Sequence, residues 1–134
     1  MEVRPPKDIV RALVDAYNAK SLESVLELYR PDARYWDPLH PEEVVGREAI
    51  ADIVRELFEA FPDERMSIET LAGDETTAVA EFRSTGTLPS GDRFELEFTE
   101  VYEVEDGRIA SCRVYLDPEQ LPSQTWWRTR RLNQ

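Results

Sequence analysis

The sequence predicts an α+β fold, with helices packed on one face of a curved antiparallel sheet. Up to Phe61 the apolar residues fall mainly at helical spacing. From Arg65 onward they alternate with polar ones, the period of a half-buried strand. Turn signals at Gly73-Asp74, Pro89-Ser90-Gly91 and Asp106-Gly107 cut the second half into hairpin arms.

Each element follows from local chemistry. Pro5 and Pro6 open the first helix, where a missing N–H costs nothing. Ile9, Val10, Leu13, Val14 and Tyr17 then form its apolar stripe. Ser21 caps a second, short helix with Leu22, Val25, Leu26 and Tyr29 on one side, and Pro31 stops it. A strand is predicted over Ala33–Asp37. A third helix starts after Gly46, presents Ile50, Ile53, Val54, Leu57, Phe58 and Phe61, and ends at Pro62. Strands are predicted near Arg65–Leu71, Thr76–Thr87, Arg93–Val104 and Arg108–Leu116.

The 134 residues fit one domain over 1–134, with 118–134 as a C-terminal tail. A formal net charge of −12 sets the chain against nucleic acid and anionic membrane surfaces as partners. A local exception is the tail "TWWRTRRLNQ", where Trp126 and Trp127 stand beside Arg128, Arg130 and Arg131. It reads as a segment folded over its own domain or a neighbouring subunit. No apolar run approaches the length of a membrane span, and "MEVRPPKD" lacks the apolar core of a signal peptide, so a cytoplasmic protein is expected. Cys112 is the only cysteine and His40 the only histidine. Disulfides and sites needing two imidazoles are therefore not expected, and neither a metal nor another cofactor is implied.

Two acids stand out. Asp37 ends the bulky strand "ARYWD" immediately before Pro38. Asp before Pro starts turns well; it also places a carboxylate at a strand end, where it can reach a pocket. Glu100 interrupts the apolar row Phe94, Leu96, Phe98, Tyr102 and Val104. A carboxylate in such a row must find a partner or keep its proton. His40, in the Pro-bounded loop "DPLHP", reads as a surface residue, or as a lid contact at a pocket mouth.

The order of elements, with "YWDP", "VVGREAIADIVRELFEAFPD" and "EDGRIASCRVYLD", resembles the nuclear transport factor 2-like (NTF2-like) superfamily. It is most like the SnoaL-like polyketide cyclase, ketosteroid isomerase and limonene epoxide hydrolase branches, over roughly Ile9 to Asp117. The resemblance implies a cone, also described as a cystatin-like α+β barrel. A bent sheet wraps the N-terminal helices and leaves a deep apolar pocket. By the isomerase pattern, Asp37 is the general base. Glu100 replaces an aspartic acid that donates a hydrogen bond in protonated form. Leu13 stands where the pattern has an oxyanion-binding tyrosine, so Tyr17 or Tyr35 becomes the auxiliary donor. The hydrolase pattern fits less well. Tyr35 and Asp37 take its first two places, Glu81 and Arg83 carry reversed charges, and Val114 replaces the last acid.

Periodicity buries Ala78, Ala80 and Phe82 and leaves Glu81 and Arg83 in water. The family register instead points Glu81 and Arg83 into the cone, and that register is the expectation here. Leu13, Trp36, Phe58, Leu96, Phe98, Cys112, Val114 and Leu116 complete the expected substrate-binding set. The expected function is cofactor-independent proton transfer, isomerisation or aldol-type cyclisation, on a hydrophobic carbonyl compound. The alternatives are a non-catalytic binding or assembly domain, a hydrolase with an altered triad, and an engineered scaffold of this fold. An uncovered sheet face makes a homodimer the expected assembly.

Overall fold

The computed structural model describes residues 4–40 and 42–120. The element order is α1 (Pro6–Asn18), α2 (Leu22–Glu27), β1 (Tyr29–Trp36), β2 (Val44–Val45), α3 (Arg47–Ala60), β3 (Arg65–Gly73), β4 (Thr77–Thr87), β5 (Arg93–Glu105) and β6 (Arg108–Tyr115). A single 3-10 turn, Pro118–Gln120, follows. The basic, Trp-containing end of the tail lies outside the described residues. No helix among those described is long and apolar enough to cross a membrane.

α1 takes Pro6 at its first turn and buries Ile9, Val10, Leu13 and Val14 against β3 and β4. Each such side chain contributes about 1.5–3 kcal/mol by leaving water. Asn18 then ties the helix end to the sheet. Its Nδ2 donates to the Met66 carbonyl at 2.9 Å, and its Oδ1 accepts from the Met66 N–H at 2.8 Å. The Ser21 hydroxyl caps α2 by accepting from the Ser24 N–H at 3.2 Å. α3 follows Gly46, whose φ of 99° is open to glycine and strained for other residues.

The six strands run in the order β2-β1-β6-β5-β4-β3. All neighbours are antiparallel except β1 and β6, which are parallel. The sheet is therefore mixed where the sequence predicted an antiparallel one. Because β1 and β6 lie far apart in the chain, neither periodicity nor turn signals report their relative direction. Register shifts interrupt β1 between Tyr29 and Arg34, β3 between Ile68 and Thr70, and β5 between Glu103 and Val104. Such bulges bend strands and increase twist, which curls the sheet around α1 and α3.

β1 begins at Tyr29, four positions before the expected start. Pro31 reads as a stop, yet it sits in the irregular stretch of β1 where no ladder bond is needed. On β4, Ala78, Ala80, Phe82 and Ser84 are buried, as periodicity alone requires. Glu81 and Arg83 face outward, against the family register expected above. Arg83 makes ion pairs with Glu69 at 2.8 Å, with Glu97 at 2.9 Å, and with Glu95. Three solvated carboxylates hold a guanidinium outside at little cost, whereas turning it inward would strip its water.

Candidate active site

The inward row of the sheet builds a partly open, mostly apolar cavity of about 100 Å³. Tyr35 and Asp37 come from the end of β1, Leu96, Phe98 and Glu100 from β5, and Val114 and Leu116 from the end of β6. Met66 of β3, Tyr17 of α1, and Ile53 and Leu57 of α3 close it. Leu39 and Glu64 complete the lining.

Glu100 lies opposite Ala80 on β4 and Val114 on β6. Tyr102 lies opposite Ala78 and Cys112, and Cys112 opposite Tyr35. The two alanines leave room for the larger glutamate and tyrosine. Glu100 Oε1 accepts from the Tyr102 hydroxyl in a short bond, and from Cys112 Sγ at 3.4 Å. Burial pushes the Glu100 carboxyl up to about 7 against the pull of these two donors. Glu64 and Asp37 add smaller repulsions. Near neutrality Glu100 therefore exchanges its proton readily. Burial also holds Tyr17, Tyr29, Tyr35, Tyr102 and the Cys112 thiol in their neutral, donating forms.

Asp37 is buried, at 5% exposure, but differently supported. Its Oδ1 accepts from the Leu39 N–H at 2.7 Å and the His40 N–H at 3.0 Å. Its Oδ2 meets His40 Nδ1 at 2.7 Å. The turn and the pocket are thus one arrangement: one carboxyl oxygen organises the loop and the other engages His40. Burial is the largest influence on Asp37 and acts upward. The bonds from His40, Tyr35 and Leu39, with the nearby imidazole, outweigh it and hold the carboxyl below the ordinary range. Asp37 is ionised at neutral pH.

The opposite displacements have opposite consequences for stability. The native state binds the Glu100 proton more tightly than the unfolded chain does. That contribution is full below about 4.3, the unfolded value, and is lost as pH rises through about 7. Its size is on the order of 3 kcal/mol. Asp37 contributes above its unfolded value and loses that contribution as pH falls. Glu100→Gln is therefore expected to gain stability relative to the parent between pH 5 and pH 8, measured by denaturant unfolding. An unchanged difference at the two pH values would contradict the assignment.

The cavity gathers Tyr17, Tyr35, Asp37, Leu96, Phe98, Glu100, Val114 and Leu116 from the expected set. Cys112 stands behind the lining, bonded to Glu100. Leu13 is buried in the core at 1% exposure, and Phe58 packs edge-on against Tyr17 with ring centroids 5.9 Å apart. Trp36 is turned out of the cavity and stacks on Tyr115, centroids 5.4 Å apart. Alternation along β1 explains this, since its neighbours Tyr35 and Asp37 point inward. Glu81 and Arg83 line a shallow, charged groove of about 710 Å³ on the outer face instead. That groove is larger, but it is open, and its Arg83 is already paired with Glu69 and Glu97. Among the described residues, no three His, Cys, Asp or Glu side chains are grouped to hold a metal ion.

Sequence reasoning missed Leu39, Ile53, Leu57, Met66 and, above all, Glu64. The apolar stripe of α3 already contained Ile53 and Leu57. Glu64 follows the helix stop at Pro62 and carries no periodic signal. The sequence reads His40 as a surface residue or as a lid contact at a pocket mouth. Its side chain is 13% exposed, packed edge-on to Tyr35 and engaged with Asp37.

Residues 10–112 match the SnoaL-like domain family. The chain is 32% identical over 114 residues to the steroid Delta-isomerase of Nocardioides simplex, covering 84% of this chain and 89% of that protein. It is 34% identical over 112 residues to the epoxide hydrolase LasB of Streptomyces lasalocidi, covering 81% of this chain but only 40% of LasB. Among solved structures, IdmH from Streptomyces antibioticus superposes with a TM-score of 0.80 at 24% identity, over 90% of this chain and 98% of that one. A NTF2-like cone with this sequence likeness belongs to the SnoaL-like domain family.

Proposed function

We propose that this protein is a cofactor-independent proton-transfer enzyme, an isomerase or aldol-type cyclase acting on a hydrophobic carbonyl compound. One observation carries the reading: Asp37 and Glu100 line the same small apolar cavity with their proton affinities displaced in opposite directions. Ionised Asp37 takes a proton from the carbon next to a carbonyl. The electron pair moves onto the carbonyl oxygen, which becomes an enolate. Protonated Glu100 donates a hydrogen bond to that oxygen, with Tyr17 or Tyr35 as auxiliary donor. Against a mostly apolar wall such donors stabilise developing charge better than in bulk solvent. Return of the proton to another carbon isomerises the substrate. Attack of the enolate carbon on a second carbonyl of the same molecule closes a ring.

Cavity size narrows the substrate. Pockets for drug-sized ligands enclose about 300–1,000 Å³. A space of about 100 Å³ takes a molecule of roughly cyclohexanone's bulk, or one end of a longer one. A molecule as long as a steroid would enter by one end only. The hydrolase alternative loses support, because Glu81 and Arg83 lie outside and Val114 lines the wall without a carboxyl. A second copy packed on the outer sheet face, where Val79 and Tyr115 are exposed, remains part of the proposal.

A second reading exchanges the roles. A carboxyl near 7 is well matched to act as a general base at neutral pH. Glu100 would then accept the proton, with the Asp37–His40 pair assisting at the oxygen. Both readings are tested by following loss of the α-proton signal of cyclohexanone in deuterated buffer by NMR. Exchange well above that in acetate at equal concentration is expected. Exchange no faster than acetate would remove proton transfer altogether.

A further inference from the structure

Glu64 is a third acid on the cavity wall, and the proton-transfer reaction does not use it. It immediately precedes β3, at the opposite edge of the sheet from Asp37 on the β1 side. Three strands, β6, β5 and β4, separate those edges, so the two carboxyls approach the cavity from opposite walls. Beneath Glu64 lies Ser84, fully buried at 0% exposure on the inward row of β4. Ser84 sits opposite Met66 on β3 and Leu96 on β5, and both of those line the cavity.

A serine in this row breaks the pattern of Ala78, Ala80 and Phe82. Its hydroxyl donates to Glu64 Oε2 at 2.5 Å. Among the described residues no side chain donates to Oε1. Burial pushes the carboxyl above the ordinary glutamate range, against the Ser84 bond and the Lys20 charge. A half-buried carboxyl facing a small chamber gains from a ligand that hydrogen-bonds to it. Lys20 decides what kind of ligand. Its ammonium donates to the Glu64 backbone carbonyl at 2.6 Å, so a cation is already in place beside the acid. A second ammonium would meet repulsion there; a neutral hydroxyl would not.

We infer that Glu64, seated on Ser84, forms a subsite for a hydroxyl group at the end of the substrate remote from its reacting carbonyl. This rests on the proton-transfer reading for which end reacts, but its binding test stands apart from catalysis. Cyclohexanone and 4-hydroxycyclohexanone serve as probes, titrated into the parent protein with NMR detection. The hydroxy ketone is expected to bind about tenfold more tightly, the scale of one well-placed hydrogen bond to a carboxylate. The double variant Glu64→Met with Ser84→Ala removes both partners together, which leaves no orphaned polar group. It is expected to bind the two ketones equally. Equal binding of both ketones by the parent protein would overturn the subsite, whether or not the variant folds. So would a double variant that keeps the tenfold preference. Absence of α-proton exchange with both ketones would instead overturn the proposed reaction and leave the binding result intact.

Discussion

Asp37→Asn is expected to slow α-proton exchange of a small ketone by about a thousandfold, the range set by loss of a positioned general base. The substitution is nearly isosteric, so the loop should survive it. The amide oxygen still accepts from the Leu39 and His40 N–H groups that Oδ1 holds at 2.7 and 3.0 Å. The amide nitrogen replaces Oδ2 and donates to His40 Nδ1, which a neutral imidazole accommodates by changing tautomer. What disappears is the anion, and with it the group that takes the proton. Circular dichroism should report an unchanged fold. Full activity in the folded variant would remove Asp37 from the mechanism.

The second large effect is in the pH profile. If Glu100 must be protonated, activity falls as pH rises through about 7, by about tenfold per further unit. Glu100→Gln keeps a hydrogen-bond donor that does not titrate. It should run slower than the parent at pH 6, by less than Asp37→Asn does, and show no fall between pH 7 and pH 9. The sign is what discriminates. Were Glu100 the base, parent activity would rise through about 7, and the Gln variant would be inert at every pH. A rising profile therefore contradicts the assignment of roles and favours the exchanged one.

Much of the fold was legible because it is written in local periodicity. The apolar stripe of α1, the serine cap of α2, the Asp106-Gly107 turn and the alternation of β4 and β5 each need only neighbouring residues. The direction of β1 against β6 does not, and neither does β2, whose two residues are too few to carry a period. Glu100 was visible because a carboxylate breaks an apolar row. Glu64 was not, because it follows a helix stop and precedes a strand, where an acid breaks no rule. Glu81 and Arg83 teach the converse lesson. Alternation placed them outside, family register placed them inside, and the cost of desolvating a guanidinium favours the outside. His40 looked like a loop histidine because its partnership with Asp37 closes three residues back through the turn that Pro38 begins.

The central claim is that two acids share one chamber while holding their protons with very different strengths. Carbon-13 NMR titration of the labelled side-chain carboxyls measures this directly. The account predicts a Glu100 midpoint near about 7, and an Asp37 carboxyl still ionised below the ordinary aspartate range. A Glu100 midpoint at the ordinary glutamate value, or the two carboxyls titrating together, would contradict it.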